Sequence, residues 1–205
     1  LYGRMRRGHF AAGGDIHSMI YATPLDILQR HTERLWAPIE RCPKPVIAAV
    51  CGYAYGGGAE LAMHCDIIIA GEGASFAQPE IRIGFIPPIA TTQLLARLIG
   101  RPRAIRYLYD GVLVPAPEAL SWGLVDEVVE PAQLRTRVQA YGEELAAKSP
   151  AALAAIRRTV TLGGGMTFEE GMAYEMDAVA ALADTPDFAE GVASFLEKRP
   201  PVWRR

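Results

Sequence analysis

The segment VIAAVCGYAYGGGAELAM, residues 46–63, constrains the fold more than any other part of the chain. KPVIAAV (44–50) is short, apolar and without polar alternation, which predicts a buried strand. A glycine run follows, and residues from about Gly57 to His64 are predicted to form a helix. DIIIAG (66–71) is a second apolar run of strand length. Strand, glycine turn, helix and strand in this order indicate a βαβ unit with parallel strands.

The rest of the chain divides into two regions without a sharp boundary. Residues 1 to about 130 are predicted to be mixed α/β, with a helix over 24–42, a loop and short strand over 74–88, and a strand over 124–130. Residues 131–205 are predicted to be helical, because the helical period dominates there. Two interpretations of this helical region remain open, a cap on its own chain or a subunit interface. The predicted helices after residue 90 lie near 91–99, 102–109, 115–122, 132–148, 150–162, 167–183 and 186–197.

The composition gives no indication of several classes of function. The chain has 205 residues, which suits one large domain or one domain with an appended helical segment. A net charge of −2 gives no indication of a nucleic-acid partner. Three cysteines in unrelated contexts predict neither a disulfide framework nor a metal site, and suit a reducing compartment, so we expect a cytoplasmic protein. No apolar run reaches transmembrane length, so no membrane association is expected.

The glycine turn is a candidate anion site. Amide groups at a helix N-terminus are unpaired and carry the positive end of the helix dipole, and glycine lets a ligand oxygen approach them. The turn does not match a dinucleotide or P-loop motif. Tight packing of helix against strand remains an equal alternative on these residues alone.

Two glutamates are candidates for acid–base chemistry. Glu60 stands in the first turn of the predicted helix beside Leu61, Ala62 and Met63, which leave little polar face. A carboxylate aimed into a crevice there would have a perturbed pKa, whereas the alternative role is simple compensation of the helix dipole. Glu80, in AQPEIRIG, is the second acid. Two carboxylates that converge on one water could hold it and move its protons.

HFAAGGDI, residues 9–16, is a second turn of small residues. Two alanines, two glycines and an aspartate follow an apolar residue, so this turn could supply another backbone N–H to a ligand. Asp15 is predicted to act as a cap or turn residue rather than as an acid.

Together these segments resemble the crotonase (enoyl-CoA hydratase/isomerase) superfamily. The resemblance covers roughly residues 9–200 and is most like an enoyl-CoA hydratase. It implies an α/β spiral of ββα turns, N-terminally short here because family members have further turns before FAAGGD, followed by a helical trimerisation region. The matching stretches are FAAGGDI, KPVIAAVCGYAYGGGAELAMHCDIIIAG, SFAQPEIRIGFIP, GLVDEVVEP and FLEKRPP.

The resemblance also implies a site and a reaction. The substrate is an acyl-CoA thioester, with no cofactor beyond the coenzyme A that the substrate carries, and the assembly is a homotrimer or hexamer. The backbone N–H groups of Ala12 and Gly57 correspond to the oxyanion hole, and Glu60 and Glu80 to the two catalytic glutamates that hydrate a 2-enoyl-CoA to a 3-hydroxyacyl-CoA. The implied substrate-binding residues are Ala12, Gly13, Gly14, Asp15, Gly57 and Lys198.

The chain departs from the family pattern at IPPIATTQLL (86–95), where hydratases commonly carry a glycine-rich stretch. Pro88 removes a backbone N–H that a glycine would offer, and Ile89 and Thr91 add bulk. Three alternatives therefore stay open: an enoyl-CoA isomerase, a cyclic dienoyl-CoA hydratase, and a non-catalytic crotonase-like subunit. The presence of both glutamates favours the hydratase, since the isomerases typically keep only the acid at the Glu80 position.

Overall fold

The structure is a computed structural model that describes residues 1–2 and 8–204. It divides into two compact units. The first comprises residues 1–42 and 46–139 and holds both sheets. The second comprises residues 43–45 and the chain from Ala140 onwards, and is built from helices.

Two three-stranded sheets organise the first unit. One sheet has the order β1-β3-β6 and is parallel throughout. The other has the order β2-β4-β5, with β2 parallel and β5 antiparallel to β4. The strands are β1 (Ile47–Val50), β2 (Tyr53–Tyr55), β3 (Ile67–Gly71), β4 (Ser75–Ala77), β5 (Val114–Pro115) and β6 (Glu127–Val129).

The chain alternates between the sheets in a repeated ββα course. β1 lies in the first sheet and β2 in the second, a helix follows, and β3 and β4 repeat the pattern one step further. The turn from β1 to β2 requires glycine, because Gly52 has φ +60° and a β-carbon there would overlap the carbonyl oxygen of Gly8. β1 and β3 pair in parallel, as the βαβ pattern predicted, and the register places Ile47 opposite Ile67. This architecture confirms the α/β crotonase-like fold class.

Helices complete both units. The buried core of the first unit lies between its helices and sheets and includes Val50, Ile68, Phe76, Leu95 and Val125. None of the helices in the described part of the chain combines the length and apolarity that a bilayer span requires. The helices are α1 (Pro24–Gln29), α2 (Ala37–Glu40), α3 (Gly57–Met63), α4 (Thr91–Ile99), α5 (Arg101–Asp110), α6 (Ala116–Trp122), α7 (Leu134–Ala146), α8 (Pro150–Gly163), α9 (Phe168–Ala183) and α10 (Pro186–Leu196).

Side-chain caps define the helices of the second unit. Ser149, Thr167 and Thr185 each accept a backbone hydrogen bond at the start of α8, α9 and α10. After α10, Arg199 forms a paired contact with Glu190, at 2.6 and 3.0 Å. Because Arg199 donates hydrogen bonds to it, the pKa of Glu190 falls to about 2.

Two features differ from the sequence prediction. The helix predicted over 24–42 is wrong as a single element: α1 ends at Gln29, a 3₁₀ turn occupies Thr32–Arg34, and α2 starts at Ala37. His31 adopts φ +48°, which a continuous helix does not allow, and Pro38 fits only at the start of a new helix. The short strands β2 and β5 were not predicted, because three and two residues carry too little periodicity.

Candidate active site

The glycine turn places Glu60 inside the first unit. Gly56 precedes α3 with φ +47° and ψ −120°, a conformation that favours glycine. The helix then turns its apolar residues into the core, and Glu60 goes with them, so that its side chain is only 1% exposed. An acid in such a position needs hydrogen-bond donors, because a buried charge without partners is strongly disfavoured.

Two donors meet one oxygen of Glu60. The backbone N–H of Ile89 and the hydroxyl of Thr91 each donate to Oε1, both at 2.9 Å. Burial raises the pKa of Glu60, and these two hydrogen bonds act in the opposite direction. The Ile89 N–H follows Pro88, so the stretch that departs from the family pattern still supplies a backbone donor to this carboxylate.

Glu80 reaches the glycine turn before α3 from the segment that follows β4. It lies in the 3₁₀ turn Pro79–Ile83 that follows β4. If Gly56 carried a β-carbon, that atom would lie 2.6 Å from Oε1 of Glu80. A β-carbon on Gly57 would lie 3.7 Å from Oε2 of Glu60. Both carboxylates therefore border the Gly56–Gly57 segment.

The two carboxylates differ in their readiness to ionise. Burial, and further the nearby charge of Glu60, raise the pKa of Glu80 to about 7, although its own backbone N–H opposes the shift. Near neutral pH Glu80 can therefore carry a proton. A site with one ionised and one protonated carboxyl can accept a proton from one reactant atom and give one to another.

Backbone pairing brings the 9–16 turn to the start of α3. Ala11 forms a parallel bridge with Ala54, and its carbonyl accepts a hydrogen bond from the N–H of Tyr55 at 2.9 Å. Gly58 lies so close to Ala11 that a β-carbon on it would overlap the Ala11 carbonyl. A β-carbon on Gly13 would lie 3.4 Å from the Gly57 nitrogen, so the two glycine turns are in contact.

Two backbone N–H groups remain without a protein acceptor at this contact. Within the part of the chain that the structure describes, neither Ala12 nor Gly57 donates a hydrogen bond through its N–H. Gly57 is the first residue of α3, where an N–H has no intrahelical partner. Such groups are suited to an oxygen that develops negative charge.

A cavity of about 560 Å³ connects these groups. Its walls are mainly apolar and include Ile16, Met19, Ile27, Trp36 and Phe85. An apolar cavity with a few polar groups at one place fits a ligand with a hydrocarbon part and one polar reacting centre.

Most of the candidate site residues named from the sequence line this cavity. Ala12, Gly13, Gly14, Asp15, Gly57, Glu60 and Glu80 all line it, as does Pro88. Asp15 caps the 3₁₀ turn Ile16–Met19 by accepting from the N–H of His17, as predicted. Lys198 belongs to the second unit, where it is exposed and follows α10 with φ +55°; its role stays a prediction.

Two contributors were missed by sequence reasoning. Thr91 was interpreted only as added bulk, yet its hydroxyl binds Glu60. Gln78 is 1% exposed and lies between Thr91 and Glu80. No local pattern could reveal the contact of Thr91 with Glu60 or of Gln78 with Thr91, because these partners lie 31 and 13 positions apart. Among the described residues, no cluster of side chains has the composition of a metal site.

Comparison with known proteins links this site to a family. The family model "Enoyl-CoA hydratase/isomerase" matches residues 2–205. A protein of Dictyostelium discoideum named "Probable enoyl-CoA hydratase, mitochondrial" is 41% identical over 95% of this chain and 70% of its own length. The "2,3-dehydroadipyl-CoA hydratase" of Escherichia coli K12 is 38% identical over 95% of this chain and 76% of its own.

A solved structure extends the comparison to the fold. The crystal structure of "Enoyl-CoA Hydrates Subunit I" from Geobacillus kaustophilus HTA426 superposes with a TM-score of 0.94 at 38% identity. It covers the whole of this chain and 79% of that one.

Proposed function

The chain belongs to the enoyl-CoA hydratase/isomerase family, and on that premise we propose that it adds water to a 2-enoyl-CoA thioester with Glu60 as the base and Glu80 as the acid. The product is a 3-hydroxyacyl-CoA. The observation that carries this assignment is the position of both carboxylates at the Gly56–Gly57 segment, beside the N–H of Gly57, which has no acceptor among the described residues.

The reaction divides into three linked events. Water attacks the β-carbon of the enoyl group while Glu60 takes one of its protons. The electrons of the double bond move toward the thioester carbonyl, whose oxygen gains enolate charge. The N–H groups of Ala12 and Gly57 stabilise that oxygen, and loss of one such donor typically costs about 3 kcal/mol. Glu80 then gives its proton to the α-carbon.

The two glutamates are suited to these opposite roles by their surroundings. The donors from Ile89 and Thr91 favour the ionised form of Glu60. Glu80 keeps its proton up to a pH of about 7. An isomerase needs only one acid that moves a proton between two carbons, so the second buried carboxylate supports hydration over isomerisation.

The test is purified protein with crotonyl-CoA, followed by loss of the enoyl thioester absorbance. Glu60→Gln and Glu80→Gln should each lower kcat by about a hundredfold or more, since acid–base catalysis contributes that much or more. Glu72→Gln is the matched control, because Glu72 is an exposed glutamate of the same unit. Rates within twofold of the parent for both site variants would contradict the assignment.

The acyl group is a separate part of the proposal. Pro88 lines the cavity beside the Ile89 that binds Glu60, where it restricts the space open to an acyl chain. A panel of linear 2-enoyl, linear 3-enoyl and cyclic dienoyl thioesters distinguishes the hydratase from the isomerase and from the cyclic dienoyl-CoA hydratase. A protein that binds none of them would instead be a non-catalytic family member.

We also propose a homotrimer or hexamer that forms through the helical unit. This unit leaves large apolar side chains in water within the single chain, including Phe168 at 77% and Phe195 at 83% exposure. Light scattering on a size-exclusion column measures the mass directly, and a monomer would overturn this part. In such an assembly Lys198 would contact a phosphate of coenzyme A, so Lys198→Ala should raise KM.

A further inference from the structure

Thr91 makes an unusual contribution to the carboxylate pair. It is the first residue of α4, and its side chain is fully buried. Its hydroxyl proton goes to Oε1 of Glu60 at 2.9 Å. A buried hydroxyl that donates to a carboxylate makes a charge-assisted hydrogen bond, which is roughly twice as strong as a bond between neutral groups.

The bond also fixes the orientation of Glu60. Because Ile89 and Thr91 both donate to Oε1, that oxygen is occupied and the carboxylate cannot rotate without losing two bonds. Among the residues that the structure describes, none donates a hydrogen bond to Oε2, and this is the oxygen near Gly57. The atom able to take a proton from water is thereby aimed at the segment where the thioester carbonyl is proposed to bind.

Gln78 extends the contact toward Glu80. One end of its amide lies 3.5 Å from the Thr91 hydroxyl oxygen, and the other end lies 3.1 and 3.3 Å from the two carboxyl oxygens of Glu80. With Glu80 ionised, the amide nitrogen faces Glu80 and donates to both of its carboxyl oxygens. With Glu80 protonated, the reverse orientation lets the amide nitrogen donate to Thr91 and the amide oxygen accept from Glu80. In that second orientation the donors run in one direction, from a protonated Glu80 through Gln78 and Thr91 to an ionised Glu60.

Among the described residues, hydrogen bonds from Ile89 and Thr91, and no charge other than that of the partner carboxylate, distinguish the pKa of Glu60 from that of Glu80. Two carboxylates in one poorly hydrated cavity resist double ionisation, so hydrogen bonds decide which of them keeps the proton. Glu60 receives two donors from other residues. The titratable side chains that line the cavity with it are Asp15, Arg30, Tyr55, Glu80 and Arg82, and Tyr107 is buried near Glu80.

We propose that Thr91 is a positioning residue that keeps Glu60 ionised and oriented, and so leaves the shared proton on Glu80. The inference rests on the proposed hydratase function and adds to it the residue that assigns the two roles. Without the hydroxyl, Glu60 retains only the backbone donor of Ile89, and the two carboxylates become more alike.

The test compares the pH profiles of kcat/KM for Thr91→Val and Thr91→Ser. Valine has the same shape without the hydroxyl, so the acid limb of the profile should move up by about one pH unit and kcat/KM on that limb should fall about tenfold. Serine restores the donor, so its limb should stay at the parent position. Thr92→Val is the matched control, because it makes the same change one residue along and the Thr92 hydroxyl contacts Gln93.

An acid limb that stays in place in Thr91→Val overturns the proposal, as does an equal shift in Thr91→Ser. Loss of packing alone would lower kcat without moving the limb. Thr91→Ala provides a second hydroxyl-free variant if valine does not fold, and the same shift is expected from it.

A measurement without turnover separates this inference from the proposed function. In a Glu80→Gln background, the carboxyl stretch in infrared difference spectra reports the titration of Glu60 in the cavity. Thr91→Val should raise its midpoint by about one pH unit even if no enoyl thioester is hydrated. An unchanged midpoint sinks the role of Thr91, whereas an inactive parent enzyme sinks only the hydratase assignment.

Discussion

Gly58 of α3 lies against the backbone of Ala11 with no room for a β-carbon between them. This contact holds the 9–16 turn against the start of α3, where the N–H groups of Ala12 and Gly57 have no acceptor in the described part of the chain. The third glycine of the GGG run therefore serves the approach of two backbone segments rather than a special backbone angle.

Gly58→Ala should lower kcat by about tenfold or more, because the added carbon displaces Ala11 and with it the Ala12 N–H. Alanine is otherwise the better residue inside a helix. The measurement is enoyl thioester hydration, and Gly73→Ala is the control because nothing lies within 4 Å of a β-carbon there. Equal rates for both variants would show that the contact does not position the donors.

The activity should fall as the pH rises above about 7. Glu80 acts as an acid in the proposed reaction, and its pKa is raised to about 7, so it loses the proton it must donate. The alkaline limb of kcat/KM measures this group in the free enzyme. A limb that persists unchanged in the residual activity of Glu80→Gln would assign it to another residue.

Stability should also change with pH through Glu80. The folded protein holds this proton up to a pH of about 7, whereas an unfolded glutamate releases it near 4.5. The native state thus binds more protons between these values, and the free energy of unfolding decreases as the pH rises through that window. After allowance for partial hydration, we expect a contribution of about 1–2 kcal/mol.

Thermal unfolding of the parent and of Glu80→Gln at pH 4.5 and pH 8 measures this contribution. The variant cannot ionise, so it should gain stability relative to the parent on going to pH 8. A difference between the two proteins that is the same at both pH values would contradict the expected linkage.

Ala90→Gly should stabilise the first unit by about 0.5–1 kcal/mol. Ala90 precedes α4 with φ +58°, a conformation that strains residues with a β-carbon and that glycine adopts freely. Ala96→Gly, inside α4, should lower stability by about 1 kcal/mol. Denaturant unfolding of both variants checks the sign, and a loss at Ala90 as large as that at Ala96 would mean that the strain is absent.

Much of the fold could be predicted from the sequence because its signals are local. The apolar runs of β1 and β3, the glycine turn and the helical period of α8 to α10 each depend on neighbours within a few positions. The prediction of one helix over 24–42 was wrong because it used the same local signal. The apolar spacing there is helical, but the left-handed backbone of His31 and the ring of Pro38 divide the segment into α1, a 3₁₀ turn and α2.

The candidate site was predictable in its types of residue and not in its contacts. The residues alone marked Glu60, Glu80 and two small-residue turns, and the family resemblance assigned them roles. Only the tertiary structure placed both carboxylates at the Gly56–Gly57 segment and set Gly58 against Ala11. It also turned the Thr91 hydroxyl, 31 positions along the chain, onto Glu60. Such contacts depend on how the strands of the two sheets, and the turns that follow them, pack together. Local backbone propensity does not determine that packing. The hydrogen bonds and the pKa of a side chain therefore arise only once the chain has folded around it.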